Sequence, residues 1–237
     1  MKTEIKVLDK GFVTLVDSMP AVCKVTEGWG PGDARVVEAA RVSYKSQGKT
    51  IEQDKKLLKY LYKNDHSSPF EKVTLEFHVK APLFIARQWM RHRTASVNEI
   101  SARYTEVQDE FYLPERSRMQ AQSTSNKQAS GEALHAIEAD KCQDDMEEAW
   151  RFAYERYKHM LSMGLSRELA RMVLPVSMYT EFYWTINLRN LMHFLKLRLH
   201  NHAQYEIRVY ALALQALASE VAPYTLALFW DSVSDYE

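Results

Sequence analysis

The sequence predicts an α+β fold, a single domain over 1–237 whose central, mostly antiparallel sheet is flanked by helices. Three observations lead there. The 237 residues suit one domain, or one domain carrying an insertion. Apolar residues make up 46% and aromatics 11%, enough to fill a sizeable core and to exclude a disordered chain. Runs of period two and of period 3.6 follow one another irregularly, with no internal repeat and no heptad run.

The elements follow in order. Residues 2–8 and 12–19 are short apolar runs split by the turn signal Asp9-Lys10-Gly11, and read as two strands. Gly-Trp-Gly-Pro-Gly at 28–32 forms a loop, and Asp33 is an N-cap for a helix over 34–45. Residues 52–64 read as a second helix with Leu57, Leu58 and Leu61 on one side, followed by a polar loop over 65–69. Residues 71–80 alternate. Val73, Leu75, Phe77 and Val79 face one way, and Lys72, Thr74, Glu76 and His78 the other, as in a half-buried strand. Pro82 starts a helix, where its missing N–H is harmless, and the helix runs to about His92. Residues 117–131 are polar and of low complexity, and read as a mobile inserted loop. A long helix over 132–163 ends at Gly164, and a short one covers 166–172. Val, Tyr, Phe, Trp and Thr dominate 174–186, a strand, and helices over 187–199 and 203–221 follow.

The chain carries 31 basic and 31 acidic side chains, which excludes a polybasic arm or an acidic tail as its working part. The charges segregate, however. The net charge is +6 over 1–104, −7 over 105–150 and +1 over 151–237. MKTEIKVLDK has no apolar run behind it, so no secretory signal is expected, and no stretch approaches the ~20 apolar residues of a membrane span. Cys23 and Cys142 form no CxxC, which suits a reducing compartment. A cytoplasmic protein is expected, or one of a host cytoplasm if a virus makes it.

The basic excess concentrates between Pro82 and Tyr104, which hold four arginines, one histidine and one carboxylate. On a helix Arg87 and Arg91 share a face, as do Gln88, Arg91 and His92, with Leu83, Ile85, Ala86, Trp89 and Met90 on the other side. Arginine is suited to forked recognition of phosphates. Glu99, the lone acid, can orient an arginine or accept from a base or ribose hydroxyl. The plainer alternative is a solvated charge cluster at a helix end. Ser96 and Ser101 have no adjacent Asp–His pair and read as polar groups rather than nucleophiles.

Arg91-His92-Arg93-x-x-Ser96-x-Asn98-Glu99-x-Ser101-x-Arg103 resembles the complete RHRxxSxNExSxR signature of the flavin-dependent thymidylate synthases. His66-x-Ser68-Pro69-Phe70-Glu71 resembles the family's loop before the central strand. Arg171-x-Val173-Leu174-Pro175, Asn187-Leu188-Arg189 and Arg198-x-x-x-His202-Ala203-Gln204-x-Glu206-Ile207 resemble its C-terminal half. Together they cover roughly 60–110 and 165–225.

The resemblance implies an enzyme converting dUMP to dTMP, with 5,10-methylenetetrahydrofolate as carbon donor, FAD as redox carrier and NADPH as hydride source. It also implies a homotetramer with sites shared between subunits. By resemblance, Ser68, Arg91, His92, Arg93, Glu99, Asn187, Leu188, Arg189 and His193 contact FAD. His193 stands where several family members carry Asn. Gln88, Arg91, Glu99, Ser101, Arg103, Arg171 and Arg198 hold dUMP by the same route, with Trp89, Met90, Ile100 and Ala102 contributing backbone. His66 is assigned to the folate side. No enzymic nucleophile is expected: the resemblance makes Arg198 the catalytic group, a fixed guanidinium that polarises the uracil ring and favours its N3-ionised form.

Other readings compete. His193, His200, His202 and Glu206 suggest a metal site, with His202 and Glu206 spaced i, i+4, but there is no HExxH and no metal is expected. RNA binding by the Arg-rich stretch is disfavoured by the zero net charge and the acidic middle block. A non-catalytic nucleotide-binding regulator is disfavoured by the presence of both Arg171 and Arg198. Neither nucleic acid nor a membrane is expected as a partner.

Overall fold

The computed structural model describes residues 3–22, 28–42, 50–124 and 130–233. Residues 43–45 of the first expected helix, Cys23 and residues 125–129 of the expected loop lie outside them. A hairpin opens the chain, β1 (Glu4–Val7) with β2 (Gly11–Met19). Gly11 is required by close approach: a Cβ there would lie 2.0 Å from the Tyr210 hydroxyl and 2.7 Å from the Val7 carbonyl. Helix α1 (Pro31–Arg41) begins three residues earlier than the sequence suggests. Asp33 is therefore not the N-cap. It sits inside the first turn and accepts from the Gly30 N–H at 3.0 Å. Helix α2 (Ile51–Lys63) starts at a Thr50–Gln53 capping box.

Strand β3 (Thr74–Pro82) follows a 3₁₀ turn over Ser68–Lys72. The expected alternation holds, since Val73, Leu75, Phe77 and Val79 are all 0% exposed. Pro82 closes this strand and opens α3 (Leu83–Trp89), a helix shorter than expected. Its last turn tightens: the Met90 N–H still reaches the Ala86 carbonyl, but Arg91 and His92 bond only three residues back, to Gln88 and Trp89. Arg91 and His92 thus leave the helix. The chain beyond them then forms β4 (Ser96–Glu99), an edge strand exposed on both faces.

The expected loop over 117–131 contains a 3₁₀ turn and a two-stranded ribbon, β5 (Gln120–Gln122) with β6 (Ser130–Ala133). Helix α4 (Ala136–Ser162) is stopped by Gly164 at φ +88°, with the Leu165 N–H reaching back to the Met160 carbonyl. Helix α5 (Arg167–Ala170) gives way to a 3₁₀ turn at Arg171–Val173. Strand β7 (Tyr179–Asn187) begins five residues later than expected. Asn187 caps α6 (Leu188–Arg198), accepting from the Asn190 N–H at 2.9 Å. Helices α7 (Tyr205–Ala218) and α8 (Pro223–Val233) complete the described chain, the last not anticipated.

The main sheet runs β1-β2-β3-β7-β4, antiparallel at every pairing. Its apolar face packs against α3, α6 and α7. Trp89 of α3, 0% exposed, sits at the centre of that layer with its ring against Phe182, Trp184, Phe194 and Tyr210. Anchoring α3 by this ring fixes where the chain leaves the helix and so where the arginines emerge. A separate cluster joins α4 to the 107–112 segment through Phe111, Trp150, Tyr154 and Tyr157. Among the described residues no helix is long and apolar enough to cross a membrane.

Candidate active site

Two cavities collect eight of the residues singled out from the sequence: His66, Arg189 and His193 in one, and Glu99, Ile100, Ser101, Ala102 and Arg171 in the other. The first, about 790 Å³, lies between α2, the 65–67 loop, α6 and α8. Leu61, Phe70 and Phe229 give it an apolar floor, and Lys63, Arg189 and Lys196 bring cations to its rim, beside Asp65, His66 and His193. Arg189 lies 3.5 Å from Glu71, a pair half-exposed on both sides. Asn190 Nδ2 donates to the Thr94 carbonyl at 3.2 Å, tying the end of the arginine stretch to the first turn of α6. Ser68 is exposed at the head of its 3₁₀ turn, next to this wall. The Leu188 side chain is 0% exposed and belongs to the core, so only its backbone can meet a ligand.

The second cavity, about 400 Å³, opens where β4 ends. Glu99, Ile100, Ser101 and Ala102 form one wall and Arg171 another, with Lys80, Thr180 and Glu181 from the sheet behind them. The Ile100 N–H donates to the Glu181 carbonyl at 2.9 Å, and the Arg103 N–H to Ser101 Oγ at 3.3 Å. Arg103 itself points away and pairs with Glu168 at 3.0 Å. Lys80 Nζ is held by Glu110 at 2.6 Å and Glu181 at 3.9 Å, so its charge is already matched.

Arg198, at the end of α6, is half-buried and lines neither cavity. Its Nε–H donates to His92 Nε2 at 3.0 Å. Burial lowers the Arg198 pKa from its ordinary value. Burial, then the Arg198 charge and His193 beyond it, push the His92 pKa down to about 4. His92 is therefore neutral at pH 7, and its ring packs edge-on against Phe194, 4.6 Å between centroids. Gln88 lies on α3 with its Oε1 buried and without a hydrogen-bond partner. A buried, unsatisfied amide oxygen is costly, and a ligand N–H would satisfy it. Arg91 and Arg93 are exposed, and Met90 is half-buried where the helix ends. The Trp89 side chain is fully consumed by the core.

Not all expected groupings form. Gln88, Arg91 and Arg198 do not share the cavity of Ser101 and Arg171, although all were expected to hold one nucleotide. His202 lies before α7 rather than on it, and Glu206 is buried against Tyr112 and Arg118, so the i, i+4 pair expected from the sequence does not exist. Sequence reasoning missed Thr180, whose hydroxyl donates to Glu99 at 2.6 Å. The signal was available: Thr180 is the polar member of the inward stripe Thr180, Phe182, Trp184, Ile186.

A donor set of this kind suits a large amphipathic anion with aromatic rings. The apolar floor accepts rings and the cationic rim accepts phosphates. A dinucleotide such as FAD has that character, and the first cavity is of the right order of size for a substantial part of it.

Comparison with known proteins agrees. A family model described as thymidylate synthase complementing protein matches residues 24–224. A Thermus thermophilus protein named flavin-dependent thymidylate synthase is 52% identical over 226 residues, covering 95% of this chain and 77% of that one. One of the same name from Dictyostelium discoideum is 47% identical, covering 96% of this chain and 74% of its own length. The solved structure of a UMP/dUMP methylase, PolB from Streptomyces cacaoi, bound with 5-Br dUMP, is 34% identical with a TM-score of 0.82, covering 96% of this chain and 97% of that one. With the arginine signature intact, two ligand-sized cavities at its ends and these likenesses over nearly the whole length, the chain belongs to the flavin-dependent thymidylate synthase family.

Proposed function

We propose that this chain catalyses the reductive methylation of dUMP. In balance, dUMP, 5,10-methylenetetrahydrofolate, NADPH and a proton give dTMP, tetrahydrofolate and NADP⁺. The observation that carries the reading is the course of residues 91–103. They run from the tip of α3 along an edge strand into a cavity bounded by Arg171, so a cationic arm meets a pocket with both apolar and polar walls. A phosphorylated nucleotide needs both.

FAD, when bound, supplies the redox centre between NADPH and the uracil ring. The residues that suit it are Ser68, Arg91, His92, Arg93, Glu99, the backbone of Asn187 and Leu188, Arg189 and His193, with His66 toward the folate. Arginine forks neutralise phosphate oxygens. For dUMP, the Gln88 amide oxygen accepts an N–H, Arg91 and Arg171 neutralise the phosphate, joined by Arg103 once it leaves Glu168, and Ser101 with the backbone of Ile100 and Ala102 fixes the sugar. Glu99 lies where it can accept from a ribose hydroxyl. Arg198 stabilises charge developing on N3 and the neighbouring carbonyls, which activates the ring without a covalent enzyme adduct. Ser101 Oγ accepts from the Arg103 N–H at 3.3 Å, which supports a binding role.

The division of these residues between two places supports a composite site in a homotetramer, each nucleotide held by Gln88, Arg91 and Arg198 of one subunit and by Ser101, Arg103 and Arg171 of another. Ile100 and Met172 leave 53% and 76% of their surface exposed at the second cavity, as expected of a surface a partner covers. The reading also makes the chain a single domain acting in the cytoplasm.

The test is optical. Purified protein should be yellow, NADPH should bleach the flavin band, and re-oxidation should depend on dUMP and the folate. Protein that neither carries nor takes up FAD would end the proposal.

A further inference from the structure

The geometry points to His92 as the positioning residue for Arg198: it holds one edge of the guanidinium so that the other is presented to the uracil ring. This inference rests on the reading of Arg198 as the group that polarises that ring.

A guanidinium has two forked faces. One uses Nε with one terminal nitrogen, the other uses the two terminal nitrogens. The Nε–H of Arg198 is spent on His92 Nε2 at 3.0 Å. That leaves the terminal pair free, a flat two-donor edge suited to a ring nitrogen and its adjacent carbonyl oxygen. Because His92 accepts at Nε2, its own proton must sit on Nδ1 and the ring must be neutral. A protonated ring would set two cations against each other. The neighbouring side chains favour the neutral form: Phe194 lies edge-on at 4.6 Å, and the His193 ring is 6.3 Å away.

The two partners arrive from opposite directions in the chain. His92 follows the turn that tightens α3 after Trp89, and Arg198 ends α6. Phe194, one turn before Arg198, packs on both Trp89 and His92. The buried Trp89 ring therefore locates His92, and His92 aims Arg198. In an α-helix the last side chain is otherwise free to sweep, so a fixed acceptor removes rotamer freedom from the group that must be preorganised. His92 thus has work to do within the protein itself, beyond any contact it makes with FAD.

The experiment is a double-mutant cycle on the full-length, FAD-loaded protein. The measured quantity is the affinity for 5-fluoro-dUMP, whose N3 proton is more acidic than that of dUMP, alongside dUMP itself. His92→Phe should weaken 5-fluoro-dUMP about tenfold, on the order of one hydrogen bond to a charged group, and erase most of its advantage over dUMP. His92→Gln, which keeps an acceptor, should restore most of both. In an Arg198→Ala background, His92→Phe should change the affinity by less than about twofold. Each affinity is measured at full FAD occupancy, with flavin content and NADPH-driven bleaching followed alongside, so that loss of the FAD contact at His92 is separated from loss at Arg198, and His92→Ala serves if the phenyl ring does not fit beside Phe194. Equal weakening in both backgrounds, or no rescue by His92→Gln, overturns the inference. With dTMP formation lost in Arg198→Ala, such a result overturns the inference alone. Turnover that survives in Arg198→Ala overturns the reading beneath it, and the inference with it.

Discussion

The buried Thr180 hydroxyl donates a 2.6 Å hydrogen bond to the Glu99 carboxylate, from the second residue of β7 to the last residue of β4. Glu99 is exposed, while Thr180 is 4% exposed. A buried donor thus holds a solvent-facing acid. Thr180→Val removes the donor and keeps the shape. Its KM for dUMP should rise about tenfold, the scale of a hydrogen bond to a charged group, with NADPH-driven flavin reduction unchanged. Thr180→Ser should recover most of the loss. An unchanged KM in steady-state kinetics would show that Glu99 needs no such support.

Arg198→Ala should lower dTMP formation by more than about a hundredfold, the usual cost of removing one preorganised charge-stabilising donor. Flavin content should survive, since Arg198 lines neither cavity. Single-turnover product analysis with flavin absorbance checks both at once.

Acid should unsettle His92 before it unsettles the fold. The His92 pKa is lowered from 6.5 to about 4. Between those values the unfolded chain binds more protons at this site than the folded one, so its contribution to stability is full above about pH 6.5 and declines as pH falls toward 4. Denaturant midpoints measured from pH 7 to pH 4 should fall less steeply for His92→Gln than for the parent.

Asp33 joins the two ends of the chain. Its carboxylate accepts from the Gly30, Tyr224 and Thr225 N–H groups at 2.9–3.0 Å and from the Thr225 hydroxyl at 2.6 Å. Asp33→Ala strands three backbone donors at the joint of α1 and α8, and should cost about 2–4 kcal/mol. Thermal unfolding should show the loss. Because α8 walls the first cavity through Phe229, flavin retention should fall with it.

Legibility in the sequence tracked how local each signal was. Strand β3 could be read from its alternation because one of its faces is wholly apolar. The end of α4 could be read because Gly164 takes a backbone shape other residues avoid. Strand β4 could not. Its four residues carry a single apolar side chain and exist as a strand only because β7 offers a ladder. The ribbon of β5 and β6 failed for the same reason. Helix α8 carried a legible start in Pro223, but its unbroken apolar run hid the period. In the site, residue types were legible from 91 to 103, whereas their division between two cavities depends on where α3 stops. The bond from Arg198 to His92 spans 106 positions and has no local signature.

Strand β7 is paired on both sides, with β3 and with β4. Its Thr180 end backs the second cavity, and its Asn187 end starts the helix that walls the first. Seven residues of extended chain set those ends roughly 20–25 Å apart. A strand paired on both edges is a ruler, and it keeps the two cavities of one subunit from ever closing on each other. With the nucleotide's residues divided between subunits as proposed, subunit complementation should follow. Chains carrying Arg198→Ala and chains carrying Arg171→Ala, each inactive alone, should regain part of the activity when unfolded together and reassembled, because mixed assemblies would contain some sites built only from intact halves.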